Sequence, residues 1–320
     1  MNYKPILIVA GEPNSVFLEI FFKSIKRNHY NSPLIILVNK KLLIEQMKYL
    51  GFNFKINQIN IDNKNLNKLN NKSINIINVN YNYKKIFEKI SPKSNRYINE
   101  SFLIALKILK KNGYTKLING PISKKNFLKE KYLGITEYLA AKTNTQEFSM
   151  LIYNKKLSVS PITTHLPLKD VSKNISEIKI INHVKLITEF YNNIIRKKIK
   201  IAVTGLNPHC ESNYNSSEEE KIIKPAITQL KKAKYNVNGP FPADTIFMKE
   251  HLKKYDVIIG MFHDQVLAPA KTLFGFKAIN ITLGLPFIRI SPDHGPNFEM
   301  IGKNISKSTS LTMALKFLDK

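Results

Sequence analysis

Three of the seven histidines occupy equivalent places in the chain. His165 follows the strand-like segment 158–164, His209 the segment 201–208, and His263 the apolar run 257–262. Each therefore stands at or just beyond the carboxyl end of an expected strand. In an open parallel sheet the binding crevice lies outside those ends, so separate strands can deliver side chains to one place. Three neutral imidazoles suit a divalent transition metal and leave positions open for substrate oxygens. A single histidine there would be read as a local hydrogen-bonding group; three in one topological slot point to a metal site. His183 and His251 instead fall within helical patterns, where a solvated or packed imidazole is expected. His29 ends a helix, where a cation interacts favourably with the dipole. Cys210 is expected to be a small packing residue, because neighbours on an extended segment point opposite ways.

The last third of the chain is dense in chemistry. His263-Asp264-Gln265 is followed by Lys271, Asn280, Thr282, Gly284, Pro286, Arg289 and then Asp293-His294-Gly295. The glycines allow positive φ or close backbone approach, and Pro286 and Pro292 stiffen the connections. Arg289 sits in an otherwise apolar surrounding, where a planar guanidinium suits bidentate recognition of phosphate or carboxylate, with a structural ion pair as the competing role. Lys271 can add a point charge. There is no P-loop, since Gly120-Pro121-Ile122-Ser123-Lys124 lacks the spacing, and no Gly-x-Gly-x-x-Gly or Gly-x-Ser-x-Gly sequence.

Charge could mislead. Fifty Lys and Arg against 23 Asp and Glu give +27, which taken alone suggests a nucleic-acid or anionic-surface binder. Only Arg27, Arg96, Arg196 and Arg289 are arginines, the lysines are scattered, and the chain is also crowded with Asn and Ile. Lys, Asn and Ile share A/T-rich codons, so genome bias accounts for the excess and no specific nucleic-acid partner is expected. Where Lys is the default base, an Arg is worth inspecting. One cysteine cannot form an internal disulfide, and no run approaches the ~20 apolar residues of a membrane span. The expectation is a cytoplasmic protein with no membrane partner.

The positioning elements read as α/β. Strands are expected over 6–10, 33–38, 74–79, 117–118, 148–153, 157–164, 201–204, 256–262 and 278–283. Helices are expected over 19–27, 42–50, 99–111, 175–195, 217–234 and 311–318, with Gly113 a C-terminal stop. The Asn/Lys-rich stretch 56–80 reads, apart from 74–79, as variable surface. Two α/β lobes that exchange chain segments fit better than two beads on a string.

Long ordered strings then resemble the 4-hydroxythreonine-4-phosphate dehydrogenase family: residues 161–170 (PITTHLPLKD), 205–209 (GLNPH), 239–247 (GPFPADTIF), 261–265 (MFHDQ) and 280–295 (NITLGLPFIRISPDHG). The resemblance extends more weakly from Gly11-Glu12-Pro13 to the C-terminus. It implies an NAD- or NADP-dependent enzyme of pyridoxal phosphate biosynthesis that oxidises the C3 hydroxyl of 4-phosphooxy-L-threonine. The 3-oxo acid formed loses carbon dioxide to leave 3-amino-2-oxopropyl phosphate. It implies a fold like isocitrate and isopropylmalate dehydrogenases, with two α/β lobes, a central cleft and a homodimer. The first lobe would comprise 1–130 plus 275–320, and the second 131–274. The family's metal ligands map onto His165, His209 and His263, for one divalent ion of Zn, Mg, Mn or Co. Substrate contacts map onto Thr136, Lys271, Asn280 and Arg289, further catalytic positions onto Asp244, Asp264 and Thr282, and the nucleotide-binding turn onto Asp293-His294-Gly295.

Departures are also visible. The family usually writes Gly-His-Thr-Glu where this chain has Gly134-Ile135-Thr136-Glu137, and that histidine is a substrate contact. Asn14-Ser15-Val16-Phe17 and Pro296-Asn297 replace Ala-Gly-Ile-Gly and Thr-Ala. A related dehydrogenase of a phosphorylated sugar acid, a phosphoerythronate or phosphothreonate, is the competing expectation within the fold. A decayed enzyme with a basic nucleic-acid-binding surface is the competing expectation outside it.

Overall fold

The computed structural model describes residues 3–63, 65–128, 131–210, 216–275, 277–292 and 295–319. The chain forms two compact units, one of Met1–Leu139 with Pro286–Lys320 and one of Ala140–Leu285. In chain order the first unit opens with β1 (Ile6–Val9), α1 (Phe17–Arg27), β2 (Leu34–Val38), α2 (Lys40–Tyr49), β3 (Ile56–Gln58), β4 (Ile74–Asn78), α3 (Ser94–Asn112), β5 (Lys116–Asn119) and α4 (Lys124–Phe127). The chain passes to the second unit within α5 (Ile135–Lys142). There follow β6 (Ser149–Tyr153), β7 (Ser158–Thr163), α6 (Glu177–Phe190), β8 (Ile201–Thr204), α7 (Lys224–Lys232), β9 (Val237–Phe241), α8 (Lys249–Leu252), β10 (Val257–Phe262), α9 (His263–Phe274) and β11 (Ile279–Leu283). β12 (Ile288–Ser291) and α10 (Thr309–Leu318) return to the first unit.

In the first unit all strand pairs are parallel, in the order β3-β4-β2-β1-β5-β12. Such strands are covered on both faces, which explains why β1 and β2 are unbroken apolar runs with every residue buried. In the second unit the order is β11-β6-β7-β10-β8-β9. β6 runs antiparallel to both β11 and β7, while β7, β10, β8 and β9 are mutually parallel. The parallel strands of each unit thus open their carboxyl ends toward loops, the arrangement that the placement of the histidines requires.

Gly113 ends α3 at φ 62°, as expected of a C-terminal stop, although the helix starts at Ser94, five residues before the apolar periodicity begins. At the ends of β1 and β5 a glycine is required by close backbone approach. A Cβ on Gly11 would lie 2.5 Å from Pro121 O, and one on Gly120 would lie 2.1 Å from Ala10 O. The strand-end loops of β1 and β5 are therefore packed backbone to backbone.

The loop after β1 also holds a buried carboxylate. Ser94 Oγ donates to Glu12 Oε2 (2.9 Å) and the Asn14 amide to Oε1 (3.3 Å). Burial nevertheless dominates and pushes the Glu12 carboxyl up to about 7. Between its ordinary value and about pH 7 the folded protein keeps a proton that the unfolded chain has released. Stability should therefore fall as pH rises through that window, by on the order of 3 kcal/mol at most. Glu12→Gln, which imitates the protonated form, is expected to raise the melting temperature at pH 8 and to change it little at pH 4.5. Melting curves at both values decide it, and an equal change at both would refute the burial argument.

Candidate active site

β7 and β10 are adjacent and parallel, with Phe262 level with Thr163. The Thr163 hydroxyl locks that end by donating to Met261 O (2.7 Å). His165 lies two residues past β7, and His263 is the first residue of α9, directly after β10. Neighbouring strands therefore bring the two imidazoles together, with ring centroids 5.9 Å apart and planes tilted by 36°. His263 Nδ1 lies 2.6 Å from Asp264 Oδ1. A carboxylate on Nδ1 fixes the ring and leaves Nε2 as the lone-pair nitrogen, the arrangement that orients a ligating histidine.

β8 flanks β10 on its other side, and His209 stands in the exposed loop beyond it with φ 59°. That loop is organised by Glu219, a residue the sequence did not single out. Its side chain is fully buried, and Oε1 accepts from the amides of Leu206 and Asn207 at 2.8 Å each. Burial opposes its charge, but these bonds and that from the Asn207 side chain outweigh it and hold the carboxyl below its usual range. A Cβ on Gly205 would meet Cys210 Sγ at 2.6 Å, so Cys210 fills the space behind the turn, as its expected packing role requires. Burial, then the carboxylates of Glu219 and Asp244, push the Cys210 thiol upward, which places the otherwise exposed Asp244 near this loop.

Among the described residues no group of three or more His, Cys, Asp or Glu side chains is gathered closely enough to hold a metal ion. His165 and His263 meet, whereas His209 is not brought into a cluster with them. The pair and its carboxylate fit two ligands of a divalent metal in chemistry and orientation. His183 is unrelated to them. It is buried in α6 with Nε2 3.1 Å from Pro161 O, and burial pushes its pKa down to about 4, so it is a packed, neutral imidazole.

Asn280 and Thr282 stand two apart on β11 and so share one face of the strand. Thr282 is buried. Among the described residues Asn280 Nδ2 meets the Met150 sulfur (3.4 Å), and its buried Oδ1 has no hydrogen-bond donor. An unmet buried acceptor costs ~1–3 kcal/mol, which a ligand donor would recover. Lys271 is exposed in the last turn of α9.

Arg289 lies in the first unit on β12, level with Leu117 of β5, and is only 4% exposed. Its Nε donates to Asn119 Oδ1 (2.7 Å) and Nη1 to Thr136 Oγ1 (3.2 Å). Two of the four expected substrate contacts, Arg289 and Thr136, are therefore adjacent. Burial pushes the guanidinium down to about 10, with the Glu137 carboxylate opposing, so it remains charged at neutral pH. Arg27, Arg96 and Arg196 are all exposed. Ile135, first residue of α5, is buried. Asp293 and His294 lie outside the described residues. Gly295 is exposed, and the following Pro296 carbonyl accepts from the Val16 amide (3.3 Å), which ties Pro296 to the loop after β1. Among the described residues no helix is long and apolar enough to cross a membrane.

A family model described as pyridoxal phosphate biosynthetic protein PdxA matches residues 29–318. The 4-hydroxythreonine-4-phosphate dehydrogenase of Sulfurihydrogenibium sp. is 37% identical over 316 residues, covering 97% of this chain and 96% of that protein. A protein of Oceanobacillus iheyensis, provisionally named D-threonate 4-phosphate dehydrogenase, is 34% identical over 327 residues, covering 98% and 97%. The crystal structure of 4-hydroxythreonine-4-phosphate dehydrogenase from Klebsiella pneumoniae matches with a TM-score of 0.83 at 26% identity, over 99% of this chain and 97% of that one. An isocitrate dehydrogenase of Methylococcus capsulatus matches over 97% and 83% at a TM-score of 0.50 and 9% identity, a likeness of fold alone and the one expected from the sequence.

Proposed function

Because the chain belongs to the pyridoxal phosphate biosynthetic protein PdxA family, we propose that it is a dehydrogenase that oxidises the C3 hydroxyl of 4-phosphooxy-L-threonine, the 3-oxo product then losing carbon dioxide. The observation that carries the substrate class is the buried, charged Arg289 with Thr136 at its Nη1. A planar cation on a strand, shielded from water, is suited to a phosphate dianion. Thr136 adds a hydroxyl donor. The unmet Oδ1 of Asn280 can accept from a substrate hydroxyl or ammonium group, and Lys271 can add a mobile positive charge. Fixing the phosphate end in this way orients C3 for reaction, which is where such anchors have their effect on rate.

A divalent metal such as Zn, Mg, Mn or Co, held by His165, His209 and His263, would when bound supply the Lewis acidity that makes the C3 hydroxyl acidic. NAD or NADP would supply the two-electron acceptor, with Asp293-His294-Gly295 as the segment that holds it. Asp264 keeps the His263 ring in one orientation through Nδ1. Asp244 and Asp264, both exposed, are the carboxylates available to take the hydroxyl proton, and buried Thr282 shapes the face that Asn280 presents. We place the enzyme in the cytoplasm as a homodimer, in keeping with the family expectation.

Phosphothreonate is the competing substrate, favoured by the Oceanobacillus relative and by Ile135, which removes a polar contact. Purified protein assayed for NAD(P)H formation with each compound, with and without chelator, separates the readings. Faster turnover of phosphothreonate would overturn the assignment. Ile135→His restores a donor at a buried position, and recovering a hydrogen bond to a charged group gains ~1.5–3 kcal/mol. It is expected to lower the Michaelis constant for 4-phosphooxythreonine about tenfold or more. A constant that stays the same or rises would mean that the pocket has been rebuilt around Ile135.

A further inference from the structure

One partner of the Arg289 guanidinium is a neutral side chain that meets its Nε. Asn119 is the last residue of β5, is only 2% exposed, and accepts from Arg289 Nε at 2.7 Å. Its own amide is fixed in turn, since Nδ2 donates to Gly120 O at 2.9 Å, both groups being buried. That second bond settles which end of the amide faces Arg289, because the nitrogen is already engaged and only the oxygen can meet an N–H donor. A side chain at Gly120 would collide with Ala10 O and the Phe17 ring, so the chain packs closely at this point.

We propose that Asn119 is a positioning residue for phosphate recognition: it fixes the plane of the Arg289 fork through Nε without itself cancelling the positive charge. The inference rests on Arg289 being the phosphate anchor. The physical case turns on charge. Buried arginines are commonly paired with carboxylates, and an aspartate here would give the same geometry with a stronger bond. It would also neutralise the cation and place a negative charge behind the phosphate. The Glu137 carboxylate also acts on the guanidinium, whereas the acceptor that meets Nε is neutral. A neutral acceptor at Nε supplies orientation without that cancellation.

The test uses the full-length enzyme and two probes, inorganic phosphate as a competitive inhibitor and the phosphate-free analogue 4-hydroxythreonine as a poor substrate. Asn119→Asp is expected to raise the Michaelis constant for 4-phosphooxythreonine and the phosphate inhibition constant at least tenfold. The turnover number should stay within about twofold, and kcat/KM for the phosphate-free analogue should be unchanged. Asn119→Ser, a neutral acceptor of shorter reach, should recover part of the phosphate affinity; it also carries the test if the aspartate variant does not fold. Phosphate inhibition constants equal to wild type in a folded variant would overturn the proposal. If Arg289→Lys itself leaves phosphate inhibition unchanged, the anchor assignment fails instead. If Arg289→Lys weakens phosphate binding and Asn119→Asp does not, the failure belongs to Asn119 alone.

Discussion

His263→Ala is expected to abolish turnover and to strip bound divalent metal on dialysis while leaving the fold intact. His263 is the residue at which strand, helix and carboxylate converge, with its ring 5.9 Å from that of His165 and its Nδ1 tied to Asp264. On the proposed assignment, removing it takes away one ligand and the ring that packs beside His165. The loss should exceed the ~10–100-fold typical of outer-shell changes, which is the range expected for Asp264→Asn. His165→Ala and His209→Ala should behave like His263→Ala. His183→Ala is the control: that imidazole is buried and packed against Pro161 O, so its removal should lower the melting temperature and leave metal content unchanged. Elemental analysis alongside melting curves checks all of these. Stoichiometric metal retained in His209→Ala would remove that residue from the ligand set, which bears directly on its separation from the other two.

That separation marks a limit of what the residue order can convey. The strand-end rule located His165 and His263 correctly relative to their sheet, because the ends of β7, a buried strand that alternates Ser with apolar residues, and of β10, an apolar run, both fall within two residues of them. The same rule says nothing about where a loop goes afterwards. His209 lies five residues past β8, on a loop folded over the buried Glu219 at positive φ, and Glu219 reads in sequence as one of three solvated acids opening a helix. β3, β9 and β12 were not expected, since short strands carrying Asn, Gly, Pro or Arg lack an apolar signature. Asn119 could have been noticed as a polar residue closing the Leu117-Ile118 run, but its partner Arg289 lies 170 positions away. Nothing local in either segment records that pairing. The helical start at Ser94 was missed for a related reason: its first turn is polar, and the buried Ser94 hydroxyl serves Glu12 rather than an apolar face.

Arg289→Lys is expected to raise the Michaelis constant for the phosphorylated substrate by roughly ten- to a hundredfold with little change in the turnover number. A lysine keeps the charge and loses the geometry. It has no Nε donor for Asn119 at the same reach, and its single ammonium cannot contact Thr136 and a phosphate in the fixed plane that the guanidinium provides. Hydrogen bonds to a charged group are worth ~1.5–3 kcal/mol, which converts to the stated range. Burial adds a second penalty. It already pushes the guanidinium down to about 10, and an ammonium, with its lower intrinsic pKa and stronger hydration, tolerates the same site less well. The variant should therefore lose affinity further as pH rises from 7 to 9, a range over which the wild-type guanidinium stays charged. Arg196→Lys on the exposed surface serves as the control and should change neither constant. Initial rates at pH 7 and 9, with inorganic phosphate as competitor, distinguish the outcomes. A Michaelis constant unchanged at pH 7 would show that the buried guanidinium has a structural role, charge-paired with Glu137 and hydrogen-bonded to Asn119, and that the phosphate is bound elsewhere.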